Sequence, residues 1–325
     1  MKAWQVEGIG EPVEVLRRVE IEPPTPGKGQ ARVRVIAAGI GLPDVFMCRG
    51  SYPMTPALPF TPGQEVVGEV TAVGEGTDLA IGARVMAVSM FYAGHGSFAE
   101  ECLVRADTAF TVPVGLSEVE AAGFWIPHHT AWIGLVERGR AAAGETLAVL
   151  GAAGGSGIAA VQVGKALGTR VIAVVGDQER AAFCRGLGAD MTVIHRDGPI
   201  AEGLRKAADG RGIDLIYDPV GGELAENAAK ALARNGRLLA VGFASGRWPT
   251  MNTHELVVAN ASVLGVFAGG LARTELDAIH ASLSDLAANG QLRNPVSATV
   301  VFDDLPRAVQ ALADRRVIGK QVMAT

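Results

Sequence analysis

Cysteine is scarce in this sequence. Cys48, Cys102 and Cys184 are far apart and odd in number, which argues against a disulfide framework. There is no run of Lys and Arg, and the formal net charge is -5, so a nucleic-acid surface is not expected. No uninterrupted apolar segment is long enough to span a bilayer. Residues Met1 to Glu7 lack the apolar core of a signal peptide, so a cytoplasmic location is expected. Internal repeats and low-complexity linkers are also missing. What remains is a chain of 325 residues, 49% hydrophobic and 19% charged. That length favours two domains, and that balance favours well-packed cores.

The two parts differ in pattern. From Lys2 to about Pro113 the chain consists of short β-rich runs separated by Gly and Pro, including Ala31–Ala37, Glu65–Val73, Ala83–Val88 and Phe98–Val104. Only brief helices fit between them, one around Leu42–Cys48. Runs at this density predict a mostly antiparallel, partly closed sheet. Near Leu116 the pattern changes: Ser117 and Glu120 are spaced as a helix capping box. From Leu147 strands alternate with helices. The strand series is Leu147–Leu150, Arg170–Val175, Met191–Ile194, Ile213–Tyr217, Gly236–Val241 and Val263–Phe267. This alternation predicts a doubly wound parallel sheet. Beyond Gly270 a helix over Glu275–Ala288, a strand over Ala298–Phe302, a helix from Leu305 and a strand near Val322 are expected to return to the first domain.

The segment Leu147–Gly168 carries the clearest chemistry. An apolar run, suited to a strand buried on both faces, leads into a glycine cluster and then a helical stripe of Ala159, Ala160, Val163, Ala166 and Leu167. Gly155, Gly157 and Ala160 are spaced as G-x-G-x-x-A, the strand-turn-helix form that binds dinucleotides. A side chain at those glycines would hold a pyrophosphate away from the backbone N–H groups and the helix N-terminus that attract it.

Several further segments complete a pattern. They are Ala37–Asp44 (AAGIGLPD), Leu58–Glu65 (LPFTPGQE), Gly151–Gly157 (GAAGGSG) and Asp214–Gly222 (DLIYDPVGG). With the order of parts, they resemble the medium-chain dehydrogenase/reductase superfamily, and in particular its zinc-free quinone oxidoreductase and enoyl reductase branch. The resemblance spans essentially the whole chain. It implies an α/β fold in which a GroES-like, mostly antiparallel β domain (1–121 plus 269–325) accompanies a Rossmann cofactor-binding domain (122–268). Zinc-dependent relatives carry a ligand Cys where this chain has Gly41 and a ligand His where it has Gln64. Glycine offers no ligand and an amide is a poor one, so no metal is expected. His128 and His129 are adjacent and point in different directions on a helix or strand.

The resemblance also implies site residues. About twenty residues past Gly155, where an NAD-selective protein shows an acidic ribose reader, stands Val175. Gly176 leaves room for a 2′-phosphate, Arg180 matches a basic phosphate-binding position, and His195 falls where relatives place a Tyr. Asp177 is the contrary sign, able to oppose the phosphate or to pair with Arg180. NADPH is the expected cofactor, held by Thr130, Gly154, Gly155, Ser156, Gly157, Ile158, Gly176, Arg180, His195, Gly242, Phe243, Phe267 and Ala268. Tyr52 occupies the position of a catalytic Tyr that can donate a hydrogen bond to a carbonyl or a proton to an enolate. Gly41, Asp44, Phe46, Trp125 and His128 would line the substrate pocket. Gly41 replaces a usual Asn and Phe46 a frequent Tyr, which makes the pocket more apolar.

An NADPH-dependent reductase of quinones or α,β-unsaturated carbonyls is therefore expected. The alternatives are a zinc-free alcohol dehydrogenase, which has nothing visible to polarise an alcohol, and a weakly active NADPH-binding structural or nucleic-acid-binding protein. No membrane partner is expected. The β-branched, apolar segment Ala261–Phe267 has the character of an edge strand through which a homodimer could form.

Overall fold

A computed structural model describes residues 1–325. The chain divides into two units. The first comprises Met1–Ile126, Ala272–His280 and Arg293–Thr325, and the second Pro127–Leu271 and Ala281–Leu292.

In the first unit β1 (Lys2–Val6) and β2 (Leu16–Glu20) form an antiparallel pair. Four longer-range strands follow: β3 (Gln30–Ile40), β4 (Glu65–Val73), β5 (Arg84–Val88) and β6 (Glu101–Arg105). β3 pairs antiparallel with both β4 and β6, and β4 with β5. Alternate residues of β3, among them Ala31, Val33 and Val35, turn into a core shared with Val66, Val70, Phe60 and Phe98. Strand periodicity of two thus places one face of the sheet inside. The brief helix Leu42–Cys48 starts at Gly41, and Ser117 caps the turn Glu118–Ala121 through a capping box with Glu120.

The second unit holds six parallel strands: β7 (Thr146–Leu150), β8 (Arg170–Val175), β9 (Met191–Ile194), β10 (Ile213–Asp218), β11 (Leu232–Ala240) and β12 (Ser262–Gly265). Their order is β12-β11-β10-β7-β8-β9, the doubly wound arrangement in which succession reverses between β7 and β10. Every residue of β7 is buried, as its unbroken apolar run requires. Two of these strands differ from the expected spans by more than one residue. β11 begins at Leu232, because the chain bulges: Ile213 pairs with Leu232 but Leu215 with Arg237, and Asn235 takes a φ of 63°. β12 ends at Gly265, leaving Phe267 beyond the strand and 68% exposed.

The tail supplies β13 (Val296–Val301) and β14 (Lys320–Ala324). They pair in parallel, and β14 also pairs antiparallel with β3, so the end of the chain completes the sheet of the first unit. Helix Leu305–Ala313, between them, adds Leu305, Ala308 and Val309 to the same core.

Candidate active site

The glycine turn follows β7 directly. Gly151 has a φ of 59°, and the Gly154 N–H donates to the Gly151 carbonyl at 3.0 Å, closing a tight turn before helix Gly155–Ala166. A Cβ on Gly157 would lie 2.4 Å from the Gly151 oxygen and 2.6 Å from the Ala152 Cα. Glycine there lets the helix sit against the turn. A Cβ on Gly154 would meet only the Gly151 oxygen, at 3.5 Å, so that position faces open space. Gly154 provides no side-chain cap, and the first-turn N–H groups of the helix are thus available to an anion. A dinucleotide pyrophosphate fits this cradle. Ser156, in that first turn, is held at 2.9 Å from the hydroxyl of Tyr217, a wholly buried residue of β10. Ile158, next along, is buried in the packing beneath.

At the end of β8, Asp177 caps helix Gln178–Gly186 by accepting the Arg180 N–H at 2.9 Å, and its carboxylate also pairs with the Arg180 guanidinium. The backbone N–H of Arg180 is the main cause that lowers the Asp177 carboxyl below its usual range; the Arg180 and Arg196 side chains add to it. Arg196 is a member of this group that the sequence pattern does not single out. The position of a Cβ on Gly176 lies 3.6 Å from His195 Nε2 and 3.8 Å from Arg196 Cζ. Gly176, His195 and Arg196 therefore form one small group. The only signal in the sequence was that Arg196 follows His195 at the end of a strand. His195 also lines a cavity of about 480 Å³ with Pro199, Ile200, Glu223, Asn227 and Lys230.

At the end of β10, the buried Asp218 accepts N–H bonds from Val220 (2.9 Å) and Gly221 (2.8 Å) through one oxygen. Burial pushes its carboxyl up to about 6. This holds the glycine pair Gly221–Gly222, whose φ values are 69° and 57°. Gly242, after β11, donates to the Asp218 carbonyl at 3.2 Å, and a Cβ there would lie 2.9 Å from the Pro219 oxygen. The Phe243 ring lies 5.0 Å from that of Trp248. Ala268 is half-buried beside the exposed Phe267. His128 and His129 are buried in helix Trp125–Trp132, with Thr130 half-buried one residue on.

The first unit assembles a separate polar cluster. Asp44, 1% exposed, accepts the Gly41 N–H at 2.8 Å and the Gly63 N–H at 3.0 Å. Burial raises its carboxyl to about 7, against the opposing pull of the Gly41 N–H, Lys320 and the Gly63 N–H. Tyr52 is half-buried, its ring tilted 6.3 Å from Phe91. Burial lifts the phenol above its ordinary value. Phe46 lies in the helix with Asp44. Trp125 anchors its Nε1 on the Thr108 carbonyl at 3.0 Å and lies 6.4 Å from the Phe110 ring.

A zinc ion does not fit these residues. Gly41 has no side chain, Gln64 presents an amide, and no three His, Cys, Asp or Glu side chains converge. The Cys48 thiol, in the same helix as Asp44, is buried, and burial pushes it up to about 12.

A mostly antiparallel β unit beside a doubly wound unit with a glycine-rich first turn defines a medium-chain dehydrogenase/reductase. Residues 27–114 match the model of the alcohol dehydrogenase GroES-like domain, and residues 155–285 that of zinc-binding dehydrogenases. The chain is 32% identical to quinone oxidoreductase-like protein 2 homolog of Nematostella vectensis, over 100% of its own length and 89% of that relative. It is 31% identical to quinone oxidoreductase of Sus scrofa, over 99% and 97%. Among solved structures, Escherichia coli quinone oxidoreductase complexed with NADPH superposes with a TM-score of 0.91 at 28% identity, covering both chains completely. A probable oxidoreductase from Mycobacterium abscessus gives 0.88 at 36% identity, covering 100% and 99%. The chain belongs to the quinone oxidoreductase-like family of medium-chain dehydrogenases/reductases.

Proposed function

We propose that the protein is an NADPH-dependent, zinc-independent oxidoreductase whose acceptor is a quinone or an α,β-unsaturated carbonyl. The observation that carries this reading is the half-buried Tyr52, its ring 6.3 Å from Phe91, in a unit where Gly41 and Gln64 stand at the ligand positions of a metal-dependent relative. A proton-bearing donor would thus take the role of a Lewis acid. Such a donor suits an electron-poor conjugated acceptor better than a simple alcohol, which would need its hydroxyl polarised.

The cofactor, when bound, supplies the hydride. Gly154, Gly155, Ser156, Gly157 and Ile158 would hold its pyrophosphate by backbone N–H groups and the helix N-terminus. Gly176 would leave space for a 2′-phosphate, with Arg180, His195 and Arg196 as its cationic or hydrogen-bonding partners. Thr130, Gly242, Phe243, Phe267 and Ala268 would hold the nicotinamide end. Tyr52 keeps its proton, because burial raises the phenol. It is then available to donate to the acceptor oxygen and to pass a proton to the reduced product. Asp44 fixes the backbone N–H groups of Gly41 and Gly63, the second of which immediately precedes Gln64. The substrate pocket is assigned to Gly41, Asp44, Phe46, Trp125 and His128.

We further propose a homodimer through β12. Its neighbour on one side is β11, and it ends the sheet on the other. That leaves a row of backbone groups open to a second copy of the strand.

The test is NADPH consumption against a panel of quinones and enones, with metal analysis of the purified protein. Turnover without stoichiometric zinc supports the reading. Alcohol oxidation that depends on added zinc, with no quinone or enone reduced, would overturn it.

A further inference from the structure

Between β11 and helix Thr253–Ala259 the chain holds an exposed indole in a fixed place. Trp248 is 50% exposed, and its ring lies 5.0 Å from the Phe243 ring at a tilt of 40°. A single apolar side chain on a loose surface loop would need no account. This loop is pinned. The Gly246 N–H donates to the Phe243 carbonyl at 2.7 Å and closes a turn, in which Gly246 takes a φ of 98°. The Ser245 hydroxyl donates to the Arg247 carbonyl at 3.1 Å. Arg247 reaches both oxygens of Glu226, in helix Gly222–Ala229, at 2.6 and 3.2 Å. The Thr250 N–H donates to the same carboxylate at 2.8 Å. A two-pronged pair of this kind fixes orientation more than it stabilises. Trp248 is thus gripped on both sides while half of its surface stays in water.

The loop also stands beside the glycine turn. A Cβ on Gly151 would meet Val220 Cγ2 at 2.9 Å. The Val220 carbonyl accepts the Ser245 N–H at 2.8 Å, and the Pro219 carbonyl accepts the Ala244 N–H at 3.1 Å. Gly221 and Gly222 leave the space that the loop fills. A Cβ on Gly221 would strike the Arg247 oxygen, and one on Gly222 would lie 2.7 Å from Ser245 Oγ. One residue, Val220, therefore separates the glycine turn from Ser245.

Position in the sheet selects the part of the cofactor. In a doubly wound sheet the dinucleotide lies beyond the carboxyl ends of the strands, and each half of the sheet takes one mononucleotide. The Gly176 group, at the end of β8, belongs to the half that takes adenosine. β10 and β11 belong to the other half, and the Phe243–Trp248 pair stands past the carboxyl end of β11. We infer that Trp248 is a cofactor-binding residue whose indole, backed by Phe243, forms a wall against the nicotinamide mononucleotide portion of NADPH. The inference rests on the reductase reading and adds a contact to it. A flat indole suits a flat heterocycle, and the Phe243 ring keeps it from folding back. Binding then removes from water apolar surface that the protein alone leaves exposed.

The experiment compares wild type with Trp248→Ala and Trp248→Phe. Calorimetry reads the binding of NADPH, of 2′,5′-ADP and of reduced nicotinamide mononucleotide, and tryptophan emission is followed as NADPH is added. Trp248→Ala is expected to weaken NADPH about tenfold, the scale of one lost aromatic stacking contact. It should weaken reduced nicotinamide mononucleotide as well, and Trp248→Phe should retain most of the affinity. 2′,5′-ADP should bind all three proteins equally, and their melting temperatures should agree. Indole emission overlaps the absorption of a reduced nicotinamide, so NADPH should quench wild type more than Trp248→Phe. Unchanged NADPH affinity in Trp248→Ala would overturn the inference. So would a loss that 2′,5′-ADP shares, which would place the indole on adenosine. A change of mass by light scattering with NADPH affinity intact would assign Trp248 to a subunit contact instead. If wild type binds NADPH through Trp248 but reduces no quinone or enone, the reductase reading fails and the contact stands. If wild type binds no NADPH, both fall.

Discussion

The Lys320 ammonium lies 2.7 Å from the Glu65 carboxylate, and both side chains are at most 6% exposed. The other Glu65 oxygen accepts the Ile126 N–H at 2.9 Å. Lys320 runs over Gly123, where a Cβ would stand 2.5 Å from the lysine Cε. Removing one partner of such a pair strands a buried charge, which costs about 3–5 kcal/mol. Lys320→Met is therefore expected to lower the melting temperature strongly, and adding Glu65→Gln should recover much of the loss. A double variant no more stable than the single one would show that the pair is not the cause.

Asp44 gives the first unit a pH dependence. An unfolded Asp titrates near 3.9, whereas burial raises this carboxyl to about 7. As pH rises between those values the unfolded chain ionises and the folded one resists. Stability associated with protonated Asp44 is thus fully present below about pH 4 and lost by about pH 7, on the order of 4 kcal/mol. Asp44→Asn cannot ionise. Its melting temperature should decline less than that of wild type between pH 4 and 7.5, and parallel declines would refute the assignment.

Cofactor choice should follow the group around Gly176. NADPH is expected to bind at least tenfold more tightly than NADH, a gap of about 1.4 kcal/mol. Arg180→Ala and Arg196→Ala should each narrow that gap, and the pair together should erase it, with NADH binding nearly unaltered. Equal affinities in wild type would instead make Asp177 the ribose reader.

Two glycines of the turn should separate packing from phosphate binding. Gly157→Ala drives a Cβ into backbone at 2.4 Å, so both stability and NADPH binding should fall. Gly154→Ala meets nothing closer than 3.5 Å and has an ordinary φ of -91°. It should keep the melting temperature while weakening NADPH at least tenfold. Unchanged binding in Gly154→Ala would move the pyrophosphate away from this turn.

The proposed dimer is testable at β12. Light scattering should give twice the single-chain mass of 33.6 kDa, and Leu264→Pro, which removes a ladder donor, should give monomers or aggregates. A wild-type mass of 33.6 kDa would rule the dimer out.

The fold was legible where information is local. Glu65–Val73, Arg170–Val175 and Met191–Ile194 are strands over the spans their alternation and apolar runs indicate. The capping box at Ser117 and the helix stop near Gly168 follow from residues a few positions apart. What stayed hidden depends on neighbours distant in sequence. Arg196 joins Gly176 only because β9 lies against β8. Lys320 meets Glu65 through strand pairing that no local periodicity encodes. The bulge at Asn235 was obscured by its context: a polar Arg-Asn-Gly run reads as a turn, yet the strand continues through it.

The position of β14 bears on how the polypeptide acquires its structure during synthesis. This strand is an interior member of the first unit's sheet, set between β13 and β3, with Gln321 opposite Ile40. All six strands of the nucleotide-binding sheet lie between those two residues in the chain. A ribosome therefore completes that inner sheet while the surrounding one still has a gap, with the exposed edge of β3 and an unpaired Glu65 waiting. Closing such a long loop is slow, and the open edge is a site for wrong pairing in the meantime. The unit made first is the one finished last.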